Sequence, residues 1–180
     1  GLRDEAEPRG RPFVGRRAEL AQFDSVLRGC LETGSGQVVH VRGEAGIGKT
    51  RLLEEFQRRA AARGFAPHTG LVLDFGTATG QDAIRALARS LLGLRAGSDA
   101  AEIEAALARA VAADPALAER RVYLNDLLDL PQPTELRALY DAMDSATRGR
   151  GVRETMAAFV RHASARAPIL LAIEDVHWAD

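Results

Sequence analysis

Apolar positions recur along this chain with two spacings, and each predicts a different element. Leu20, Phe23, Leu27, Cys30 and Leu31 share one face of a helix over Arg17 to Glu32, which Gly34-Ser35-Gly36 breaks. Val38, Val39 and Val41 then form a short β-branched run, and Gln37 to Arg42 reads as a buried strand. A glycine-rich turn over Gly43 to Gly48 follows. It leads into a helix over Thr50 to Arg63 that stops at Gly64. A second strand fits at about His68 to Phe75.

From Gly76 to Ala167 the pattern is helical almost throughout. Ile84, Leu87, Ala88, Leu91 and Leu92 repeat at helical spacing, as do Ile103, Ala106, Leu107, Ala110 and Val111. Asp114-Pro115 reads as an N-cap with proline at the first helical position. That helix carries Leu117, Leu124, Leu127 and Leu128 and stops before Pro131-Gln132-Pro133. Leu136, Leu139, Tyr140 and Met143 mark another helix, and Val152, Met156, Phe159 and Val160 a further one. After Pro168, Ile169 to Ile173 predicts a last strand. Strands separated by helices imply a parallel sheet and an α/β class, with a large all-helical insertion at about residues 76–167.

Composition narrows the function. With 46% apolar and 27% charged residues the chain is an ordinary globular one, and its net charge of −1 lacks the basic footprint of a nucleic-acid-binding domain. The longest apolar run, Pro168 to Ile173, falls far short of the roughly 20 residues that cross a bilayer. No basic-then-apolar leader opens the chain, and a lone Cys30 cannot form an internal disulfide. We therefore expect a cytoplasmic protein that contacts neither membrane nor nucleic acid directly. Residues 1–12, punctuated by Pro8, Gly10 and Pro12, read as a linker. With Gly1 at the start and no methionine before Met143, the sequence reads as a piece of a longer protein.

Of 24 basic residues, 23 are arginine. The single lysine, Lys49, therefore stands where arginine does not serve. It lies in Gly43-Glu44-Ala45-Gly46-Ile47-Gly48-Lys49-Thr50, which matches the phosphate-loop pattern G-x-x-x-x-G-K-[ST]. Each part has a chemical reason. Glycines let successive backbone N–H groups converge on phosphate oxygens, and the helix that follows adds the positive end of its dipole. Lys49 brings a compact ammonium to the β- and γ-phosphates, and the Thr50 hydroxyl suits Mg²⁺, which prefers oxygen ligands. Position between a predicted strand and a predicted helix is the context the motif requires.

The last predicted strand ends in Glu174 and Asp175. A phosphate-loop enzyme needs an acid at such a strand end to hold Mg²⁺, and often a second to orient the attacking water. Adjacent carboxylates on a strand point to opposite faces, so the two have different tasks. Either could carry the metal.

Three segments together resemble the AAA-like, STAND-type signalling ATPases found in large bacterial LuxR-type regulators and beside adenylate/guanylate cyclase domains. They are Phe13-Val14-Gly15-Arg16, the phosphate loop, and Ile173-Glu174-Asp175-Val176-His177-Trp178-Ala179-Asp180. The stretches 123–131 and 136–144 look more like the cyclase-linked branch. The resemblance implies an ATP-dependent switch with ATP or ADP and Mg²⁺ as cofactors. Lys49, Glu174 and Asp175 would be catalytic, and Thr50 with one of the acids would hold the metal. In such proteins the segment before the first helix lies over the adenine, which would place Val14 and Arg16 at the nucleotide, with Arg51 also among the nucleotide-binding residues. The usual Gly-Arg-Glu-x-Glu is here Gly15-Arg16-Arg17-Ala18-Glu19. In this class of sheet the phosphate-loop strand lies between two strands that come later, so residues 13–180 would be the N-terminal part of the ATPase domain. Its partners would be other domains of the parent chain (a cyclase or DNA-binding output, C-terminal repeats) and other copies in a nucleotide-dependent oligomer.

Other features read more plainly. Asp74-Phe75-Gly76 imitates a kinase motif but has no H-R-D catalytic loop with it. His40 and Cys30 fit core positions, and His68 and His162 have no partners at metal-ligand spacing. His177 and Trp178, after the acids, suit packing or transmission of nucleotide state. Two rival functions remain: a module that binds nucleotide without hydrolysing it, and a helical scaffold with a vestigial loop.

Overall fold

A computed structural model describes residues 15–44, 46–71, 79–95 and 97–174. The chain divides into two compact units, Gly1–Arg59 and Ala60–Asp180.

In the first unit, α1 (Arg17–Thr33) buries Leu20, Phe23 and Leu27. Gly34 ends it in the left-handed region (φ 65°), donating its N–H to Cys30 O. Cys30 is only half-buried, and Leu31 is 50% exposed, so the apolar stripe is narrower than its sequence suggests. α2 (Lys49–Ala62) turns Leu52 and Phe56 inward. Phe56 stacks on Phe23 with ring centroids 4.0 Å apart and planes 7° from parallel.

Between α1 and α2 the expected strand does not form. Residues 34–44 adopt neither helix nor strand, Val38 is 82% and Val39 43% exposed, and His40 is exposed rather than in a core. The cause is pairing. A lone β-run has no partner for its backbone N–H and C=O groups, and the two described strands pair only with each other.

Those strands belong to the second unit. β1 (Ala66–Leu71) and β2 (Ile169–Glu174) run parallel, in register from Ala66 opposite Ile169 to Leu71 opposite Glu174. β1 starts two residues before the expected His68, because the ladder accepts Pro67 at a sheet edge where a missing donor is tolerated. The expected continuation through 72–75 lies outside the described residues. α3 (Thr79–Leu91) packs on β1 where Gly70 has no side chain: a β-carbon there would lie 2.5 Å from Ala83 O.

Helices α4 (Ala100–Ala113), α5 (Arg121–Leu128), α6 (Thr134–Ala142) and α7 (Ser145–Ser164) complete the stretch between β1 and β2. Polar caps start several of them. Asp99 accepts from Glu102 N–H (2.8 Å) while Glu102 accepts from Asp99 N–H (3.1 Å), a capping box worth about 1 kcal/mol. Asp144 accepts from Thr147 N–H at 2.7 Å. Asp114 does cap as expected, accepting from Ala116 N–H, but it opens a 3-10 helix over Pro115–Arg120 rather than one α-helix through Leu128. Leu117 and Leu124 reach the same core cluster on either side of that change, so apolar spacing alone does not reveal it. Leu107, Leu127, Leu128 and Phe159 fill out this core.

Candidate functional site

The turn before α2 owes its shape to its glycines. Gly46 and Gly48 lie in the left-handed region, at φ 77° and 91°. Among the described residues a β-carbon at either would meet nothing within 4 Å, so glycine is needed there for conformation rather than for room. Gly43 is the opposite case: a β-carbon there would lie 2.9 Å from Ile47 Cγ2.

Lys49 is the first residue of α2, and its Nζ donates back to Gly43 O (2.9 Å) and Glu44 O (3.0 Å). Two of the three ammonium protons are thereby directed into the loop, and the charge sits inside the turn. The first in-helix hydrogen bond of α2 runs from Leu52 N–H to Gly48 O at 3.0 Å. The N–H groups ahead of it lack intrahelical partners, as at every helix start, and carry the positive dipole end. No acidic residue occupies this first turn. Thr50 is exposed beside Lys49, and Arg51 is exposed after it.

The start of α2 is aimed by its far side. Besides the Phe23–Phe56 stack, Arg59 Nη1 donates to Asp24 Oδ2 at 2.7 Å, joining α2 to α1. Glu55 accepts from Arg58 (2.6 and 2.9 Å) and from Arg59 Nε (2.9 Å). Hydrogen bonding from Arg58, opposed by burial and assisted by Arg59, holds the Glu55 carboxyl down at about 2.

Arg16, at the N-cap of α1, divides its guanidinium between two acceptors. Nη1 donates to Glu19 Oε1 (2.9 Å), and Nη2 reaches Ile47 O in the loop (3.3 Å). The Arg16 hydrogen bond keeps the Glu19 carboxyl below its ordinary range. Sequence reasoning singled out Arg16 through resemblance, but its contact with the loop backbone spans residues no motif joins.

In the second unit, β2 presents half-buried Glu174 as its last residue, opposite Leu71. Asp175, Val14 and Ala45 lie outside the described residues. Two histidine pairings were not legible in the sequence. His68 Nδ1 lies 2.8 Å from Ser90 Oγ, and burial lowers the His68 pKa. His162 Nδ1 lies 3.3 Å from Asp114 Oδ2. An aspartate already identified as a cap was the one available signal for the second. Among the described residues no cluster of three His, Cys, Asp or Glu could hold a metal, and no helix is long and apolar enough to cross a membrane.

A glycine turn folded around a lysine that opens a helix is the geometry of a phosphate loop. The chain belongs to the AAA ATPase domain family. The family match covers residues 12–180. The chain is also 32% identical over 179 residues to an uncharacterized protein of Rhizobium meliloti (strain 1021), a match covering 95% of this chain. It spans 16% of that relative's length. No solved structure matches. AAA domains generally bind ATP or ADP with Mg²⁺, and the residues here fit that group: among the described residues nothing comes within 4 Å of a β-carbon built at Gly46 or Gly48, and the hydroxyl of exposed Thr50 is a hard oxygen donor at the helix start.

Proposed function

We propose that this AAA domain is the nucleotide-binding part of a STAND-type signalling switch within a larger cytoplasmic regulator of the cyclase-linked branch. The observation that carries this is Lys49, its ammonium set between Gly43 O and Glu44 O at the mouth of a helix free of acids in its first turn. In this reading Lys49 turns toward the β- and γ-phosphates of ATP, and the loop N–H groups from Gly43 to Thr50 surround them, with Arg51 adjacent. Thr50 and one of Glu174 and Asp175 hold Mg²⁺, which neutralises phosphate charge when bound. The other acid orients water for slow phosphoryl transfer. Val14 and Arg16 border the nucleotide from the segment before α1.

For a switch, the difference between ATP and ADP states matters more than turnover. Nucleotide shifts the conformational equilibrium only through its differential affinity for the two states. The helices between β1 and β2 are an insertion in this reading, offering surface to neighbouring domains or to other copies in a nucleotide-dependent oligomer.

Calorimetric titration of the chain with Mg-ATP and Mg-ADP tests the site, with Lys49→Arg beside it. Saturable binding lost in the variant is the expected result. Binding that survives Lys49→Arg unchanged would overturn the reading. Phosphate release by the longer parent, with Glu174→Gln and Asp175→Asn, separates a slow ATPase from a module that only binds.

A further inference from the structure

The Arg16 guanidinium is the described side chain that reaches into the phosphate loop from outside it, and it grips the loop at a carbonyl. Nη2 lies 3.3 Å from Ile47 O, while Nη1 is anchored 2.9 Å from Glu19 Oε1, one turn into α1. The backbone of Arg16 is fixed as well, because its own carbonyl accepts the N–H of Leu20 at 3.0 Å and so opens α1. The guanidinium fork is rigid and planar, so anchoring one nitrogen constrains where the other points.

The peptide between Ile47 and Gly48 is trans. In a trans peptide the C=O and the following N–H point in opposite directions across one plane. Holding Ile47 O toward Arg16 therefore turns the Gly48 N–H to the opposite side. Gly48, at φ 91°, is free of the side chain that would otherwise restrict this plane and needs an external hold to fix it. Glycine lets the peptide rotate, and Arg16 selects one rotation.

We infer that Arg16 is a positioning residue for phosphate, orienting the Ile47–Gly48 peptide so that the Gly48 N–H faces the anion, with Glu19 holding Arg16 in place. This rests on the phosphate-loop reading and refines it: the Arg16 side chain acts on the phosphate end of the ligand through the loop, and not on its base.

The test compares Mg-tripolyphosphate, Mg-ATP and adenosine as ligands of the chain, using wild type, Arg16→Ala, Arg16→Lys and Lys49→Ala. Arg16→Ala is expected to weaken tripolyphosphate and ATP by the same factor, about three- to tenfold for one hydrogen bond, and to leave adenosine unchanged. Arg16→Lys restores part of that loss, since one ammonium cannot be anchored and donate with the same fork. Melting of Arg16→Ala should stay close to wild type, because its contact with Ile47 O is exposed and its pair with Glu19 is only part-buried. Loss of adenosine and ATP binding with tripolyphosphate unchanged would overturn the inference in favour of a base contact. An Arg16→Ala variant that binds all three as wild type does would overturn it too. If wild type binds tripolyphosphate no better than Lys49→Ala does, the phosphate-loop reading falls with it; if only Lys49→Ala loses binding, that reading stands and the role of Arg16 does not.

Discussion

Phe56 lies face to face on Phe23, ring centroids 4.0 Å apart, and so fastens the helix that Lys49 opens to the helix that Arg16 caps. Both rings are buried, at 4% exposure each. An aromatic pair of this kind contributes about 0.5–1.5 kcal/mol beyond the area it buries. Phe56→Ala should destabilise the first unit by about 3–5 kcal/mol, as large-to-small core changes do, and weaken nucleotide binding with it. Denaturant unfolding followed in the first unit checks this. A cost under about 1 kcal/mol would mean that the stack does not hold the helices together.

Glu55 makes a pH-dependent contribution nearby. Its carboxyl titrates at about 2, below its ordinary 4.5, chiefly through the Arg58 hydrogen bond. A depressed acid stabilises the fold fully above its unfolded value, and that contribution is lost as pH falls through the folded one. The window therefore runs from 4.5 down to about 2. Side-chain carbon shifts of Glu55 followed through this range should show the low midpoint in wild type. In Arg58→Ala the midpoint should move toward 4.5; an unmoved midpoint would assign the depression to another partner.

Gly151 of α7 faces the Tyr123 ring of α5, and a β-carbon at 151 would run into that ring. Thr155, one turn on, is fully buried and donates its hydroxyl to Gly151 O at 2.7 Å. Gly151→Ala should cost about 1–3 kcal/mol through overpacking, despite alanine's better helix propensity. Adding Tyr123→Ala should recover part of that loss, a non-additivity that a double-mutant cycle measures.

Asn125 is fully buried in α5 and joins two elements through its amide. Its Oδ1 accepts from Arg121 Nε (2.9 Å), and its Nδ2 donates to Gln132 Oε1 (3.2 Å), while Gln132 Nε2 donates to Val122 O (2.7 Å). Asn125→Ala should cost about 1–3 kcal/mol, because buried donors and acceptors lose partners. Proteolysis near Pro131–Pro133 should accelerate in the variant; an unchanged cleavage rate would show that Gln132 does not need Asn125.

Local signals carried far into this protein. The i, i+3, i+4 stripes located the helices, Asp114 announced its cap, and one lysine in a run of glycines marked the phosphate loop. Each of these depends on neighbours in the chain, so sequence spacing holds the information. Other features depend on partners distant in sequence. The β-branched run 37–42 reads as a strand, yet no described strand lies beside it, and Val38 and Val39 stay exposed. Arg16 and Glu19 are one helical turn apart and readable as a pair, whereas the reach of Arg16 to Ile47 O depends on how the loop meets α1. His162 with Asp114, and Tyr123 with Gly151, are likewise products of packing. The sequence by itself located most of the helices, the Asp114 cap and the phosphate-loop motif, since these follow from backbone sterics and periodicity. Tertiary structure decided which strands pair and which side chain grips the loop, because a backbone hydrogen bond or a shared guanidinium needs a partner that only folding brings within reach.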